Sequence, residues 1–195
     1  MLLRQKIRTI VLSPLIFPHL CIYMLMGGGK IEKDLQRYNK VTQANIKNRI
    51  WAFLYIFATC PTFRNVFYYR IRYWRFLVGY MRGIPTCQIS TKEIGGGLFI
   101  EHGGATYIAA KSIGENFYIN QCATVGYSDN IHHPVIGNNV SVKAGAKVFG
   151  DVRIGNNVTV GANAVVVKNV PDNCTAVGVP AYIVRRDGKR TKENL

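Results

Sequence analysis

The chain is 195 residues long, 48% apolar, and carries a formal net charge of +15. That length suits one domain, or one with a smaller helical companion, and the apolar share excludes a disordered chain. Residues 1–84 hold 14 Lys/Arg against 2 Asp/Glu, whereas residues 85–195 hold 11 against 8, so the charge sits mainly in the first part. Five scattered cysteines (Cys21, Cys60, Cys87, Cys122, Cys174), odd in number and without a C-x-x-C pair, exclude a disulfide frame or zinc knuckle. They read as reduced thiols of a cytosolic protein, with Cys122 expected as buried packing in a coil.

Residues 9–26 are largely apolar and follow Arg4, Lys6 and Arg8, but Pro14, Pro18 and His19 interrupt them. They lack a clean run of about 20 apolar residues, and no small-x-small cleavage pattern follows, so neither a span nor a signal peptide is expected. A buried or interfacial helix is expected instead, its basic flank leaving room for peripheral membrane contact. After Gly27-Gly28-Gly29, residues 30–38 read as a short polar helix. Residues 46–81 interleave aromatics such as Trp51, Phe53, Phe57, Phe67, Tyr73 and Trp74 with Arg64, Arg70, Arg72 and Arg75. Such a mixture can stack bases and neutralise phosphates, but no nucleic-acid motif accompanies it. A packed helical hairpin split at Pro61, its Arg stems covering apolar surface, is the expectation, and no nucleic-acid partner is expected.

Gly83-Ile84-Pro85 marks a boundary. Beyond it Ile136, Val142, Val148, Ile154, Val160 and Val166 recur every six residues, with Val140, Ala146, Val152, Val158, Ala164 and Val170 four places after each. A period of six matches neither the 3.6 of a helix nor a long alternating strand. It matches short strands joined by tight corners, wound as a solenoid, with Gly137-Asn138-Asn139 and Gly155-Asn156-Asn157 at the corners. The domains expected are a helical region at 1–84, the solenoid at 85–186 and a polar tail at 187–195.

The phase slips twice. From Ile100 to Ile113 the interval is thirteen, and from Val125 to Ile136 it is eleven. Insertions in a solenoid leave as loops from a corner, and these two carry Glu101 and His102, then Tyr127, Ser128, Asp129, His132 and His133. A solenoid has no deep pocket of its own, so a homotrimer or a dimer of trimers is expected, with clefts between subunits where His102 of one chain faces His132 and His133 of a neighbour. Histidine has the pKa to remove a proton from a hydroxyl near neutral pH, and the Gly126 corner can offer N–H donors to an oxyanion. No Ser or Cys sits in an activating motif, which favours direct transfer.

The hexads, the Glu101-His102-Gly103-Gly104 turn, His132-His133-Pro134 and Gly178-Val179-Pro180-Ala181 together resemble the serine acetyltransferase-like hexapeptide acyltransferases over residues 89–186. Upstream, Lys33-Asp34-Leu35-Gln36 and Tyr69-Arg70-Ile71 are more weakly similar to that family's helical domain. The resemblance implies a mainly β fold, a left-handed parallel β-helix preceded by a small helical region, with acetyl-CoA as donor and a hydroxyl as acceptor. It puts His102 on the general base and His133 on the histidine of the acceptor loop, with Glu101 and His132 beside the substrate. It also puts Ala144, Gly145, Gly161 and Ala162, with Gly126, along the CoA cleft. Lys143, Lys147, Lys168, Arg185 and Arg186 are candidate counter-charges for its phosphates.

Three departures bear on the acceptor. The family's Asp behind the catalytic His falls on Cys87, its serine-binding Asp falls near Thr42, and its Arg before His-Pro is His132. Glu101 stands where the family usually has Asp. Serine wants a carboxylate for its amine and a cation for its carboxylate, whereas a sugar hydroxyl asks only for hydrogen bonds. The expected acceptor is therefore a sugar in surface polysaccharide biosynthesis, with L-serine as the alternative. A backbone carbonyl is expected to hold the His102 ring in place of the missing Asp. No metal is expected, because a zinc lyase on this fold would need three converging histidines, and a non-catalytic basic scaffold remains a third reading.

Overall fold

The computed structural model describes residues 3–26, 28–127, 129 and 131–195. It divides into two compact units, residues 1–84 and 85–195.

The first unit is helical. α1 (Leu3–Met26) contains Pro14 and Pro18, α2 (Lys30–Val41) follows, and α3 (Arg49–Thr59) begins at Asn48, whose side chain accepts from Trp51 N at 2.9 Å. α4 (Pro61–Ile71) starts on Pro61, whose missing N–H is harmless in a first turn. The expected hairpin does not run unbroken to residue 81. Arg72 adopts φ +43°, and beyond it lie only a 3-10 turn (Arg72–Trp74) and the short α5 (Arg75–Val78).

The core of this unit is aromatic. Tyr23 stacks on Phe53 at 4.5 Å, and Phe67 meets Phe53 and Phe57 edge-on at 5.4 and 5.5 Å. Two contacts stand out among the polar groups buried within it. Asp34 receives two hydrogen bonds from Arg70, at 2.7 and 3.2 Å. His19 shares the Val78 carbonyl (2.6 Å) with Tyr68, whose hydroxyl is 2.9 Å from the imidazole.

The second unit is the expected parallel β-helix. β1 (Cys87–Ile89), β3 (Thr106–Ile108), β6 (Thr124–Gly126), β9 (Lys147–Phe149) and β12 (Val165–Val166) stack as one face. β4 (Ser112–Ile113), β7 (Val135–Ile136) and β10 (Arg153–Ile154) form a second. The third contains β2 (Phe99–Ile100), β5 (Tyr118–Ile119), β8 (Ser141–Val142), β11 (Thr159–Val160) and β13 (Cys174–Val177). Where the hexads are unbroken the register advances by three of them, pairing Val135 with Arg153 and Ser141 with Thr159. Ile100, Ile119, Val142 and Val160 are fully buried in a stacked column, as are Val125, Val148 and Val166.

The corners between the second and third faces are held by an asparagine ladder. Asn116 donates to Asn139, Asn139 to Asn157 and Asn157 to Asn173, each near 3.0 Å. All four adopt left-handed φ between 55 and 58°. Asparagine tolerates that conformation, and its side chain satisfies the next corner's polar atoms.

Residues 187–195, expected as a polar tail, are polar but folded. β14 (Tyr182–Arg186) turns back antiparallel to β13, and β15 (Lys189–Asn194) pairs antiparallel with β14.

Candidate active site

His102 sits at the corner between β2 and β3. The inward residue of β3 is Ile108, fully buried. The interval of thirteen between Ile100 and Ile113 therefore resolves into eight and five: two residues added at the His102 corner and one lost at the next. The added residues are accommodated by left-handed backbone at His102 (φ 61°), Gly103 (71°) and Ala105 (49°). The His102 side chain is exposed. The carbonyl bond expected for its ring is not formed among the described residues, because this corner leaves the imidazole exposed. Cys87, at the place of the expected Asp, is buried in β1 and paired with Thr106. Burial pushes its thiol up to about 11, so it is neutral near pH 7 and offers His102 no charge.

Glu101 turns onto the third face. Its carboxylate accepts from the Tyr118 hydroxyl and from Asn120 Nδ2 (3.1 Å). Tyr118 in turn stacks on Phe99 at 5.7 Å, with the Lys143 ammonium 4.3 Å from its ring centroid. The sequence reading missed the roles of Tyr118 and Asn120. Their one signal is position: they lie about one coil beyond Glu101, in the same outward phase.

The corners stacked on the His102 turn form one edge of the prism. Cys122 N donates to the Gly104 carbonyl (2.8 Å), Gly145 N to Gln121 (3.1 Å) and Asn163 N to Ala144 (2.9 Å). Ala144 and Ala162 contribute only methyl groups to this edge. Gly145 adopts φ 72°, and a Cβ there would lie 1.9 Å from Asn163 Oδ1, so a larger residue would have to displace that side chain. A Cβ on Gly161 would meet Val177 at 2.8 Å. Cys122, expected in the core, is exposed at a left-handed corner (φ 57°). Of the five candidate counter-charges, four are engaged within the chain. Lys143 lies over Tyr118, Lys147 donates to the Cys122 carbonyl (2.5 Å), Lys168 donates to the Leu195 carbonyl (2.6 Å), and Arg186 pairs with Glu193 (2.6 Å).

The second insertion leaves the corner between β6 and β7. Asp129 Oδ1 accepts from the backbone N–H groups of Ile131 and His132, and Oδ2 lies 2.7 Å from His132 Nδ1. That pairing raises the His132 pKa above 6.5 and lowers Asp129 to about 2. His133 is half-buried, its ring 4.1 Å from that of Tyr127. The Tyr127 phenol is pushed up by its hydrogen bond with Tyr107. Gly126 closes β6, paired with Phe149. Ser128 lies outside the described residues. Among those described, no three His, Cys, Asp or Glu side chains converge as metal ligands.

One chain therefore places the sequence-predicted residues on two edges. His102, Ala144, Gly145, Gly161 and Ala162 share one, and Gly126, His132 and His133 share the next, a face away.

Residues 133–168 match the family model described as bacterial transferase hexapeptide (six repeats). Over 102 residues the chain is 45% identical to a serine acetyltransferase of Staphylococcus aureus, an alignment covering 50% of this chain and 48% of the relative. The chain thus spans about half the length of the curated relatives it matches. Among solved structures, a serine acetyltransferase from Neisseria gonorrhoeae superposes with TM-score 0.64 at 28% identity, over 83% of this chain and 66% of that one. A serine acetyltransferase in complex with CoA gives TM-score 0.51 at 26% identity, over 79% and 68%.

Proposed function

On the premise that this chain is a hexapeptide-repeat protein of the serine acetyltransferase-like type, we propose that it is an acetyl-CoA-dependent O-acetyltransferase with His102 as general base. One observation carries the reading. A left-handed corner holds an exposed imidazole at one end of an edge whose later corners, at Ala144 and Ala162, present methyl groups and backbone. Acetyl-CoA supplies an activated acetyl group. Small corners let an extended pantetheine arm lie against the edge, and a relative solved with CoA supports that donor.

His102 takes the proton from the acceptor hydroxyl as its oxygen bonds to the acetyl carbonyl carbon. It returns that proton to the departing sulfur, so no net charge is left on the protein. Backbone N–H groups such as that of Gly126 are suited to the transient oxyanion. Within one chain Gly126, His132 and His133 lie a face away from His102. A neighbouring protomer must therefore supply them, which supports a homotrimer or a multiple of one. The scattered free cysteines suit a cytoplasmic setting.

L-serine is the leading acceptor, because the solenoid's relatives are serine acetyltransferases and because Asp129 keeps His132 more protonated than an ordinary imidazole. A cation there can meet a carboxylate. A sugar hydroxyl of a surface polysaccharide is the second reading. It is favoured by the neutral Cys87 thiol and by Thr42, whose hydroxyl is tied to the Tyr38 carbonyl (2.7 Å). Neither offers the charge that a serine amine would want. The test is thiol release from acetyl-CoA with L-serine and with nucleotide- and lipid-linked sugars, each against His102→Ala. His102-dependent release with serine upholds the leading reading, release with sugars alone moves it to the second, and release that survives His102→Ala removes the general base.

A further inference from the structure

We propose that the helical unit docks onto an anionic lipid surface, through the outer face of α1 and the neighbouring segment 73–80. On α1, Leu3, Ile7, Ile10, Phe17 and Met24 recur at intervals of four, three, seven and seven residues, which keeps them on one side of the helix, and all are exposed. In the neighbouring segment Tyr73 and Phe76 are 91% and 93% exposed, with Trp74 and Leu77 also open to solvent. The two stretches adjoin, since the Tyr80 hydroxyl donates to the Leu15 carbonyl at 2.6 Å. Together they make an apolar surface larger than scattered exposure explains, with the tryptophan and tyrosines that favour a membrane interface.

Charge selects the occupant. No Asp or Glu lies between Asp34 and Glu93, and Glu32 and Asp34 are the unit's only acids. Both are engaged, Glu32 with Arg49 at 3.0 Å and Asp34 with Arg70 at 2.7 Å. Arg4, Lys6 and Arg8 lie on the first turns of α1, beside its apolar face, and Arg75 is interleaved with the exposed aromatics. A second copy brought against this face would set one strongly basic unit against another, whereas an anionic headgroup layer complements it.

The inner side of α1 decides how it lies. Thr9, Ile16, His19 and Tyr23 are fully buried, and His19 is hydrogen-bonded to Tyr68 and the Val78 carbonyl. The helix is long and apolar enough to cross a bilayer. Crossing would strip away that packing and leave His19 unpartnered in hydrocarbon, so it lies in the interface plane.

The experiment is flotation of the full chain with vesicles of phosphatidylcholine alone or mixed with phosphatidylglycerol. The chain should float with the anionic vesicles and not the neutral ones, and salt should weaken the association. I7E/F17E should abolish flotation while leaving the far-UV circular dichroism and melting curve unchanged, because both side chains are exposed. R4Q/K6Q/R8Q should weaken partition on the order of a hundredfold. Absence of flotation, or flotation that survives I7E/F17E, overturns the proposal. So does I7E/F17E lowering the mass by light scattering without any vesicle binding, which would assign the face to a second copy.

Discussion

The two units bury polarity in opposite ways. In the solenoid the polar side chains stand at the corners and satisfy one another in a ladder, so each asparagine repeats the work of the one a coil below. In the helical unit the polar groups are inside and singular. The Asp34–Arg70 pair, the His19–Tyr68 contact and the Tyr38–Thr62 hydrogen bond are buried contacts of three different kinds. A repeated structure spreads its stability over many equivalent interfaces, whereas an aromatic bundle with one buried ion pair concentrates it.

Five outcomes would break or sharpen that contrast. The largest belongs to chemistry: His102→Ala should lower acetyl transfer by about 10²–10⁴-fold, measured by thiol release, while calorimetry still detects acetyl-CoA binding. Its melting curve should match wild type, since the exposed ring makes no hydrogen bond among the described residues. Next, Asp34→Ala leaves Arg70 buried without its carboxylate and should cost about 3–5 kcal/mol, read by chemical denaturation. A cost near zero would mean the helical unit is not organised around this pair.

Asn139→Ala removes two hydrogen bonds of the ladder and the amide that makes this residue tolerant of left-handed backbone, for about 1–2 kcal/mol. A cost matching that of Asp34→Ala would erase the contrast between the units. The fourth outcome is a pH dependence confined to the helical unit. Burial holds the His19 pKa below 6.5, so the unfolded chain takes up that proton more readily. Its contribution is full above pH 6.5 and declines as the pH falls below it, and His19→Gln should flatten this acid limb in a melting series. The smallest effect is local. Asp129 lowered to about 2 and His132 raised above 6.5 stabilise the charged pair between roughly pH 4 and 6.5. Both are solvent-exposed, so the readout is NMR titration: Asp129→Asn should bring the His132 midpoint down.

How much of this was legible in advance follows the same division. The hexads announced the solenoid because, from Ile136 to Val170, each inward position of a coil holds a small or β-branched side chain. The His102 turn was legible because it broke that rule. Ile108 was not, because an insertion of two and a deletion of one hide inside a single interval of thirteen. Outward positions carry no periodic constraint, so nothing marked Tyr118 and Asn120 as the partners of Glu101. Cys122 was misread because a left-handed corner places a thiol where a strand would have buried it. In the helical unit the Pro61 break was plain, but the Arg72 break leaves no trace in residue type. Residues 187–195 read as a tail because their composition is polar, whereas pairing with β14 requires only their backbone.

That last hairpin has a consequence for assembly. A parallel β-helix ends in a row of unpaired N–H and C=O groups with the same spacing and direction as every row beneath it, a template onto which another coil could add without limit. Here β14 and β15 cover that row on the third face with antiparallel pairing, so the parallel row of β13 is not left open there. The edge so formed carries Lys189, Arg190, Lys192 and Glu193, charges that disfavour pairing with a copy of itself. A fold whose unit is made to stack thus carries its own stop signal on that face. Truncation before β14 would expose the parallel row there, and fibre growth at that end is its expected outcome.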